Sequence, residues 1–242
     1  LLPPARFLPF IENHPLSIDI GEWVIVSALR QLDQWHRDGL QVSVSVNVGA
    51  VQLQHPDFPA RLKALLAMHP TVPAECIEIE VLETSALADV AHTSQVMRAC
   101  AEFGVRFALD DFGTGYSSLM YLKRLPVNSI KIDQGFVRHM LEDPDNLPIL
   151  EGVLTLARGF NRTPVAEGVE TVAHGTLLLQ LGCELGQGYG IARPMPAEQV
   201  AGWARNWQPP PAWSMSRRVN NDSLPLLLAL VGALVMTQRL MA

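Results

Sequence analysis

The side chains best suited to chemistry stand directly after short apolar runs of the kind that form buried strands. In chain order they are Asn47, Glu80, Asp110 with Asp111, Lys131, Glu167 and Gln187. Carboxylates gathered at one place repel one another, and the adjacent Asp110 and Asp111 do so strongly, unless cations neutralise them. Hard oxygen ligands, with Asn47 as a neutral one, suit Mg²⁺ or Mn²⁺ rather than zinc.

Such a cluster predicts metal-assisted hydrolysis of a phosphate ester. Two divalent ions about 3.5–4 Å apart could clamp the attacking and leaving oxygens of a phosphoryl displacement. Lys131 could help to deprotonate the attacking water or stabilise charge on the phosphate.

These side chains need a scaffold that brings strand ends together, and the chain alternates short strand-like runs with longer amphipathic stretches. The predicted strands cover residues 42–48, 77–81, 106–109, 129–132, 164–166 and 184–186, and the predicted helices cover residues 20–37, 58–68, 91–103, 117–125, 148–160, 172–181 and 197–207. This alternation predicts a parallel sheet with helices outside it, either closed as a barrel or open and doubly wound.

The position of the polar residues decides between the two sheets. Every strand-like run ends on a side chain that can take part in catalysis or metal binding. In a barrel the carboxyl ends of all strands meet at one mouth, whereas an open sheet spreads them along an edge. We therefore predict an α/β fold of the TIM-like (β/α)8 barrel type. Six units are visible where a barrel has eight, so we expect it to be incomplete at the N-terminus.

Composition limits the partners and the compartment. With a net charge of −6 and no basic run, nothing in the composition argues for binding of a nucleic acid polymer through its backbone, and we expect none. The three cysteines lack CxxC spacing, so we expect free thiols in a cytoplasmic protein. The N-terminus has no signal-peptide pattern and no initiator Met, and we expect the chain to begin within a longer protein, whose upstream region could provide a membrane anchor.

After residue 207 the character of the sequence changes. Three successive prolines, Pro209–Pro211, open segment 208–223, which we predict to be a stiff linker. An apolar run, Leu224–Met236, follows within a tail of residues 224–242. The run is shorter than the ~18–20 residues that a membrane span needs, and Pro225 and Gly232 interrupt it, so we predict a docked helix instead.

Six segments resemble, in order and spacing, the successive motifs of the EAL domain, a family of cyclic-di-GMP phosphodiesterases. They are VSVNVGA (44–50), IEIEVLE (77–83), DDFGTGYSSL (110–119), LPVNSIKID (125–133), AEGVET (166–171) and GCELGQGYGIARP (182–194). The resemblance covers roughly Pro4 to Trp207. It implies a barrel that uses two divalent ions, Mg²⁺ or Mn²⁺, to hydrolyse cyclic-di-GMP to linear pGpG in bacterial second-messenger signalling.

The resemblance also implies a role for each motif residue. The implied metal ligands are Asn47, Glu80, Asp110 and Asp111, the implied catalytic residues are Lys131 and Glu167, and the implied supporting residues are Glu83, Glu170 and Gln187. Asp110 would bridge the two ions, and Glu83 would hold the loop after Asp111 in shape. The implied partners are cyclic-di-GMP and, in the parent protein, an upstream sensor or GGDEF-type domain, with a homodimer as a further candidate.

One departure from the family pattern bears on activity. Residues 5–16 resemble the segment that follows the Glu-Ala-Leu motif, whose glutamate is a metal ligand in the family. We therefore expect this chain to hydrolyse cyclic-di-GMP more slowly than a chain that includes that glutamate. The alternative functions are a catalytically impaired domain that binds cyclic-di-GMP or a partner protein, and a purely structural module.

Overall fold

The structure is a computed structural model that describes residues 6, 10–11, 14–114 and 119–215. Its centre is a six-stranded parallel sheet in which each strand pairs with the strand before it. The strands are β1 (Val44–Asn47), β2 (Ile77–Leu82), β3 (Arg106–Phe112), β4 (Ser129–Ile132), β5 (Thr163–Glu167) and β6 (Leu185–Gln187). The sheet is curled into a half-barrel, and β1 and β6 form its two edges. The α/β class and the parallel sheet predicted from the alternation are thus confirmed.

Helices connect the strands. They are α1 (Leu16–Arg37), α2 (Ala50–Leu53), α3 (Phe58–Ala67), α4 (Glu83–Ala88), α5 (Val90–Ala101), α6 (Leu119–Arg124), α7 (Gln134–His139), α8 (Asn146–Gly159), α9 (Val172–Gln180), α10 (Ala197–Asn206) and α11 (Pro211–Met215). A 3₁₀ turn, Ala74–Cys76, precedes β2. The longer helices agree with the prediction within a few residues, whereas the short helices α2, α4, α7 and α11 were not predicted.

Helix α1 packs on the sheet through an apolar stripe. Ile25, Leu29 and Leu32 recur at helical spacing and are buried, so they fix which face of the helix contacts the core. The helix ends at Arg37, and Gly39 follows with a φ of 79°, a left-handed conformation that other residues adopt at a cost. Leu40 N–H then bonds back to the Trp35 carbonyl oxygen over 2.8 Å, which directs the chain into β1.

The inner face of the sheet carries a lower row of polar side chains. Ser45 and Ser129 both donate hydrogen bonds to the Glu78 carboxylate, over 3.2 and 2.7 Å. The second bond joins β4 to β2 across the intervening β3, so the sheet must be concave on this side. Glu78, to which the sequence analysis assigned no role, thus joins three strands by accepting these two hydrogen bonds.

Because side chains alternate along a strand, the residues two positions further on lie on the same face and nearer the carboxyl ends. They are Asn47, Glu80 and Lys131, which form an upper row directly above Ser45, Glu78 and Ser129. The stacked rows correspond to the layers of a barrel interior, and the upper one opens at the mouth.

The described part of the segment predicted to be a linker packs against the domain. Residues 211–215 form α11, because Pro211 is compatible with the first helical position and Trp213 provides an apolar anchor. Trp213 is only 2% exposed. The apolar run Leu224–Met236 lies outside the described residues. Within the described ranges, no helix is both long and apolar enough to cross a bilayer.

Candidate active site

Lys131 lies at the centre of the candidate site and is surrounded by carboxylates from three other strands. Its Nζ atom is 2.9 Å from Glu80 Oε1, 3.0 Å from Asp110 Oδ1 and 2.7 Å from Glu167 Oε1. All four side chains are largely buried. Strands β2, β3, β4 and β5 therefore deliver one residue each to the same point.

Two amides complete the ring around this cluster. Asn47 Nδ2 donates to Glu80 Oε2 over 3.0 Å, and Gln187 Nε2 donates to Glu167 Oε1 over 2.6 Å. Because β1 and β6 are the edge strands, the two amides close the cluster from opposite sides of the half-barrel. Each amide orients one carboxylate while its own oxygen stays available to a ligand.

The backbone of β3 is irregular where the adjacent aspartates stand. In a regular strand Asp110 and Asp111 would point to opposite faces, but the register with β4 shifts between Leu109 and Phe112, and Asp111 has a φ of 53°. As a result, carboxylate oxygens of Asp110, Asp111 and Glu167 lie within 4.8 Å of one another. A left-handed backbone at a residue other than glycine is costly, and such strain is found mainly at functional sites.

For the carboxyl groups that pair with Lys131, and for Lys131 itself, burial and the opposite charge of the partner shift the pKa in opposite directions. Burial raises the pKa of Glu80 to about 7, against the opposing effect of the Lys131 ammonium. Burial likewise raises the pKa of Glu167 and of Asp111, and the Asp110 charge adds to both shifts. For Lys131, burial alone would lower the pKa, but the neighbouring carboxylates outweigh it and raise the pKa. The lysine is therefore held as a cation among acids that resist ionisation.

The two supporting glutamates lie in different settings. Glu83, the first residue of α4, is buried, and its Oε2 atom accepts a hydrogen bond from Gly113 N–H over 3.0 Å. It therefore contacts the loop after Asp111, where the resemblance puts it. Glu170 is partly exposed and forms an ion pair of 2.7 Å with Arg138 on α7, so it braces the loop after β5 and does not contact Lys131.

Sequence reasoning missed one acidic neighbour of this cluster. Asp133 follows β4, and its charge contributes to the raised pKa of Asp111. Its own side chain accepts a hydrogen bond from Gly135 N–H over 2.8 Å and caps α7. The signal was present, because Asp133 stands two residues after Lys131 at a strand end, the position that identified the other site residues.

Comparison with known proteins adds to this geometry. The family model described as the EAL domain matches residues 1–194. The protein named bifunctional diguanylate cyclase/cyclic di-GMP phosphodiesterase MucR, from Pseudomonas aeruginosa, is 40% identical over 201 residues, covering 83% of this chain and 29% of MucR. MucR and three further curated relatives are thus much longer than this chain, which spans only 25–29% of their length.

Two solved structures give the same result. The structure of the MucR phosphodiesterase in a c-di-GMP complex superposes with a TM-score of 0.77 at 39% identity, over 81% of this chain and 80% of that one. The EAL domain of Mycobacterium smegmatis DcpA superposes with a TM-score of 0.75 at 32% identity, over 80% and 88% of the two chains. Since both the family model and these relatives extend over most of the chain, the protein belongs to the EAL domain family.

Proposed function

We propose that this chain hydrolyses cyclic-di-GMP to linear pGpG. The observation that carries the proposal is the convergence of Glu80, Asp110 and Glu167 on the Lys131 ammonium, all within 3.0 Å, at the mouth of a barrel-type sheet. The choice of cyclic-di-GMP as the substrate rests on membership of the EAL domain family and on the structure of the MucR phosphodiesterase in a c-di-GMP complex. The mouth is acidic and the chain carries a net charge of −6, so an anionic phosphate diester would be repelled unless cations were bound there. This requirement favours metal-dependent hydrolysis.

The residues present fit a divalent metal. With all groups ionised, the four carboxylates of Glu80, Asp110, Asp111 and Glu167 exceed the one ammonium by three negative charges. Asp110 Oδ1 is buried, and its 3.0 Å contact with Lys131 Nζ is an ion pair that lacks hydrogen-bond geometry. A buried anionic oxygen without a directed donor can still accept a cation.

Mg²⁺ or Mn²⁺ suits such a set of oxygen ligands better than softer metals do. The proposed ligands are Asn47, Glu80, Asp110 and Asp111, arranged for two ions. When bound, the ions would polarise the scissile phosphate and lower the pKa of a water.

The chain's own residues would orient the reacting groups. Lys131, held as an ammonium, would donate to a non-bridging oxygen of the phosphate and stabilise charge that develops there, rather than act as a base. Glu167, fixed by Gln187, would accept a hydrogen bond from the attacking water and align it. Glu83 would hold the loop that follows Asp111, so that Asp111 keeps its unusual backbone.

A second candidate function is binding without hydrolysis. The ion pairs of Lys131 hold three carboxylates together, so the fold could retain a cyclic-di-GMP site whether or not turnover is efficient. In either case the longer relatives suggest that the parent protein carries further signalling domains, such as a sensor or a cyclase, and homodimerisation stays a proposal as well.

Turnover and binding are measured separately to distinguish these functions. The chain is incubated with cyclic-di-GMP in EDTA, Mg²⁺ or Mn²⁺, and pGpG release is followed by chromatography, while calorimetry measures binding. Metal-dependent release that is lost in Asp110→Asn and kept in the exposed control Asp145→Asn supports the phosphodiesterase. Binding without release supports the second function, and neither binding nor release overturns both.

A further inference from the structure

The C-terminal strap, residues 207–215, packs a tryptophan against the domain beyond the last residue matched by the family model. Trp213 is buried, and its Nε1 atom donates to the carbonyl oxygen of Val172, in the first turn of α9, over 2.9 Å. The Trp213 ring also lies 6.4 Å from that of Trp207, with the ring planes tilted. The strap is therefore held on α9 by a directed hydrogen bond from Trp213, and its own two tryptophan rings pack against each other.

The seat on α9 is shaped for this indole. A Cβ atom added at Gly175 would collide with the Trp213 ring, so the glycine allows the ring to lie directly against the helix backbone. The ring lines a cavity of about 10 Å³ together with residues of α9, of β6 and of the loops before β6 and after β5, including Val169, Leu178 and Cys183. The indole thus forms part of the wall where these elements meet.

The loop between β5 and α9, residues 168–171, joins this seat to the candidate active site. It leaves β5 directly after Glu167, with Gly168 in a left-handed conformation at a φ of 74°. Val169 N–H bonds to the Gln187 carbonyl oxygen over 3.0 Å, and the Val169 carbonyl oxygen accepts from Gly190 N–H over 2.8 Å. Gln187 is the residue whose side chain orients Glu167.

We propose that Trp213 is a positioning residue for this site, holding the first turn of α9 and thereby the loop 168–171 that sets Glu167 and Gln187. The inference rests on the proposed function for its catalytic consequence, but not for its structural one. Without the indole, the loop 168–171 keeps its backbone hydrogen bonds to Gln187 and Gly190, but the first turn of α9, which follows the loop, is no longer held in place. A displacement of about 1 Å at reacting groups can reduce the rate by about a hundredfold.

A first experiment needs no turnover. Hydrogen exchange of the amides 168–172 and labelling of Cys183 by a disulfide reagent are compared in the full chain and in Trp213→Ala. In the parent chain burial raises the pKa of the Cys183 thiol to about 12, so labelling should be slow. We expect both rates to rise about tenfold or more in the variant, because part of the cavity wall is removed.

Two variants separate positioning from a general loss of stability. Gly175→Ala adds a methyl group where the indole packs, yet alanine is the better helix former, so α9 itself should not be weakened. It should therefore reproduce the faster exchange of Trp213→Ala. Leu62→Ala, in the core beneath α3, should lower the melting temperature without changing exchange in the loop 168–172. Trp23→Ala, at a half-exposed tryptophan on α1, should change neither.

Kinetics complete the test. We expect kcat of Trp213→Ala and of Gly175→Ala to fall about tenfold with little change in KM, and Trp213→Phe, which keeps the ring but not the N–H, to lose less. Unchanged exchange and labelling in Trp213→Ala would overturn the proposal, whatever the activity. If the parent chain shows no turnover, the proposed function fails, whereas the exchange and labelling results still decide the role of Trp213.

Discussion

Glu83 Oε2 and the backbone N–H of Gly113 are joined by a hydrogen bond of 3.0 Å, although the two residues belong to different βα units. The bond connects the start of α4 to the turn that follows Asp111. Gly113 has a φ of 102°, so its backbone conformation suits glycine and leaves the N–H directed at the carboxylate. A single buried acceptor thus fixes the path of the chain immediately after two candidate metal ligands.

Removing this acceptor should affect turnover more than folding. We expect Glu83→Ala to lose about 1–3 kcal/mol of unfolding free energy, because the half-buried N–H of Gly113 is left without its acceptor, and Glu83→Gln to lose less. The rate of pGpG release should fall about tenfold to a hundredfold in Glu83→Ala as the turn moves. Urea unfolding and chromatographic assays measure the two effects, with exposed Glu102→Ala as the control. Equal activity of Glu83→Ala and the parent chain would contradict the role assigned to this contact.

Replacing Lys131 by methionine tests the centre of the cluster. We expect Lys131→Met to reduce pGpG release about a hundredfold or more, since the phosphate loses its charged donor. The exposed Lys123→Met should be unaffected. Turnover by Lys131→Met close to that of the parent chain would show that the ammonium has no part in the reaction.

The raised pKa of Lys131 also predicts a pH dependence. Because the folded-state pKa lies above the ordinary lysine value of 10.5, the lysine charge contributes its full stabilisation at every pH below 10.5 at which Glu80, with a pKa of about 7, is ionised, and it is lost only as the pH rises through the folded-state pKa of the lysine. The loss of activity in Lys131→Met should therefore be the same at about pH 8.5 and about pH 10. A loss confined to the lower pH would mean that the lysine deprotonates within this range.

The left-handed backbone at Asp111 predicts an order among its variants. Glycine tolerates a φ of 53° and asparagine adopts it more readily than alanine, so Asp111→Ala should be less stable than Asp111→Gly by about 1 kcal/mol, with Asp111→Asn close to the latter. All three should lose metal-dependent turnover. Asn161, with a φ of 54° in an exposed turn, is the matched control. Asn161→Ala should lose similar stability but keep its activity.

A surface cluster away from the mouth should respond to acid. Hydrogen bonds from Thr71 and Arg37 lower the pKa of Asp33 below its ordinary value of 3.8. This carboxylate therefore contributes stability above pH 3.8, and the contribution is lost as the pH falls through the folded-state pKa. Thr71→Val should lower the urea midpoint at about pH 7, and the difference should shrink by about pH 3. A constant difference would show that the effect does not involve the charge of Asp33.

The sequence predicted the site better than it predicted the turns around it. The residues at the strand ends could be found because parallel strands present their carboxyl ends at one edge, and Glu80, Lys131 and Glu167 indeed meet there. The orientation of Asp111 was not predictable, since strict alternation would direct it away from Asp110, and only a shift of register turns it inward. Which of these residues bind metal stays a prediction.

The helices missed by sequence reasoning share one physical cause. Helices α2, α4, α7 and α11 have only four to six residues each, which is too short for a recognisable apolar stripe. In α11 the preceding prolines are also typical of a linker. Its burial depends on contacts of Trp213 with Val172 and Gly175, which are distant in sequence and which no local pattern encodes.

The strand order of the sheet also has a consequence for synthesis. Each strand pairs with the one made immediately before it, and none is inserted later between two earlier strands. A nascent chain can therefore add one βα unit after another as it leaves the ribosome, each covering the exposed edge of the last. The strap that carries Trp213 emerges after all six strands, so the indole can seat only on a finished sheet. Its docking would thus be a late step, at which Glu167 and Gln187 acquire their final support.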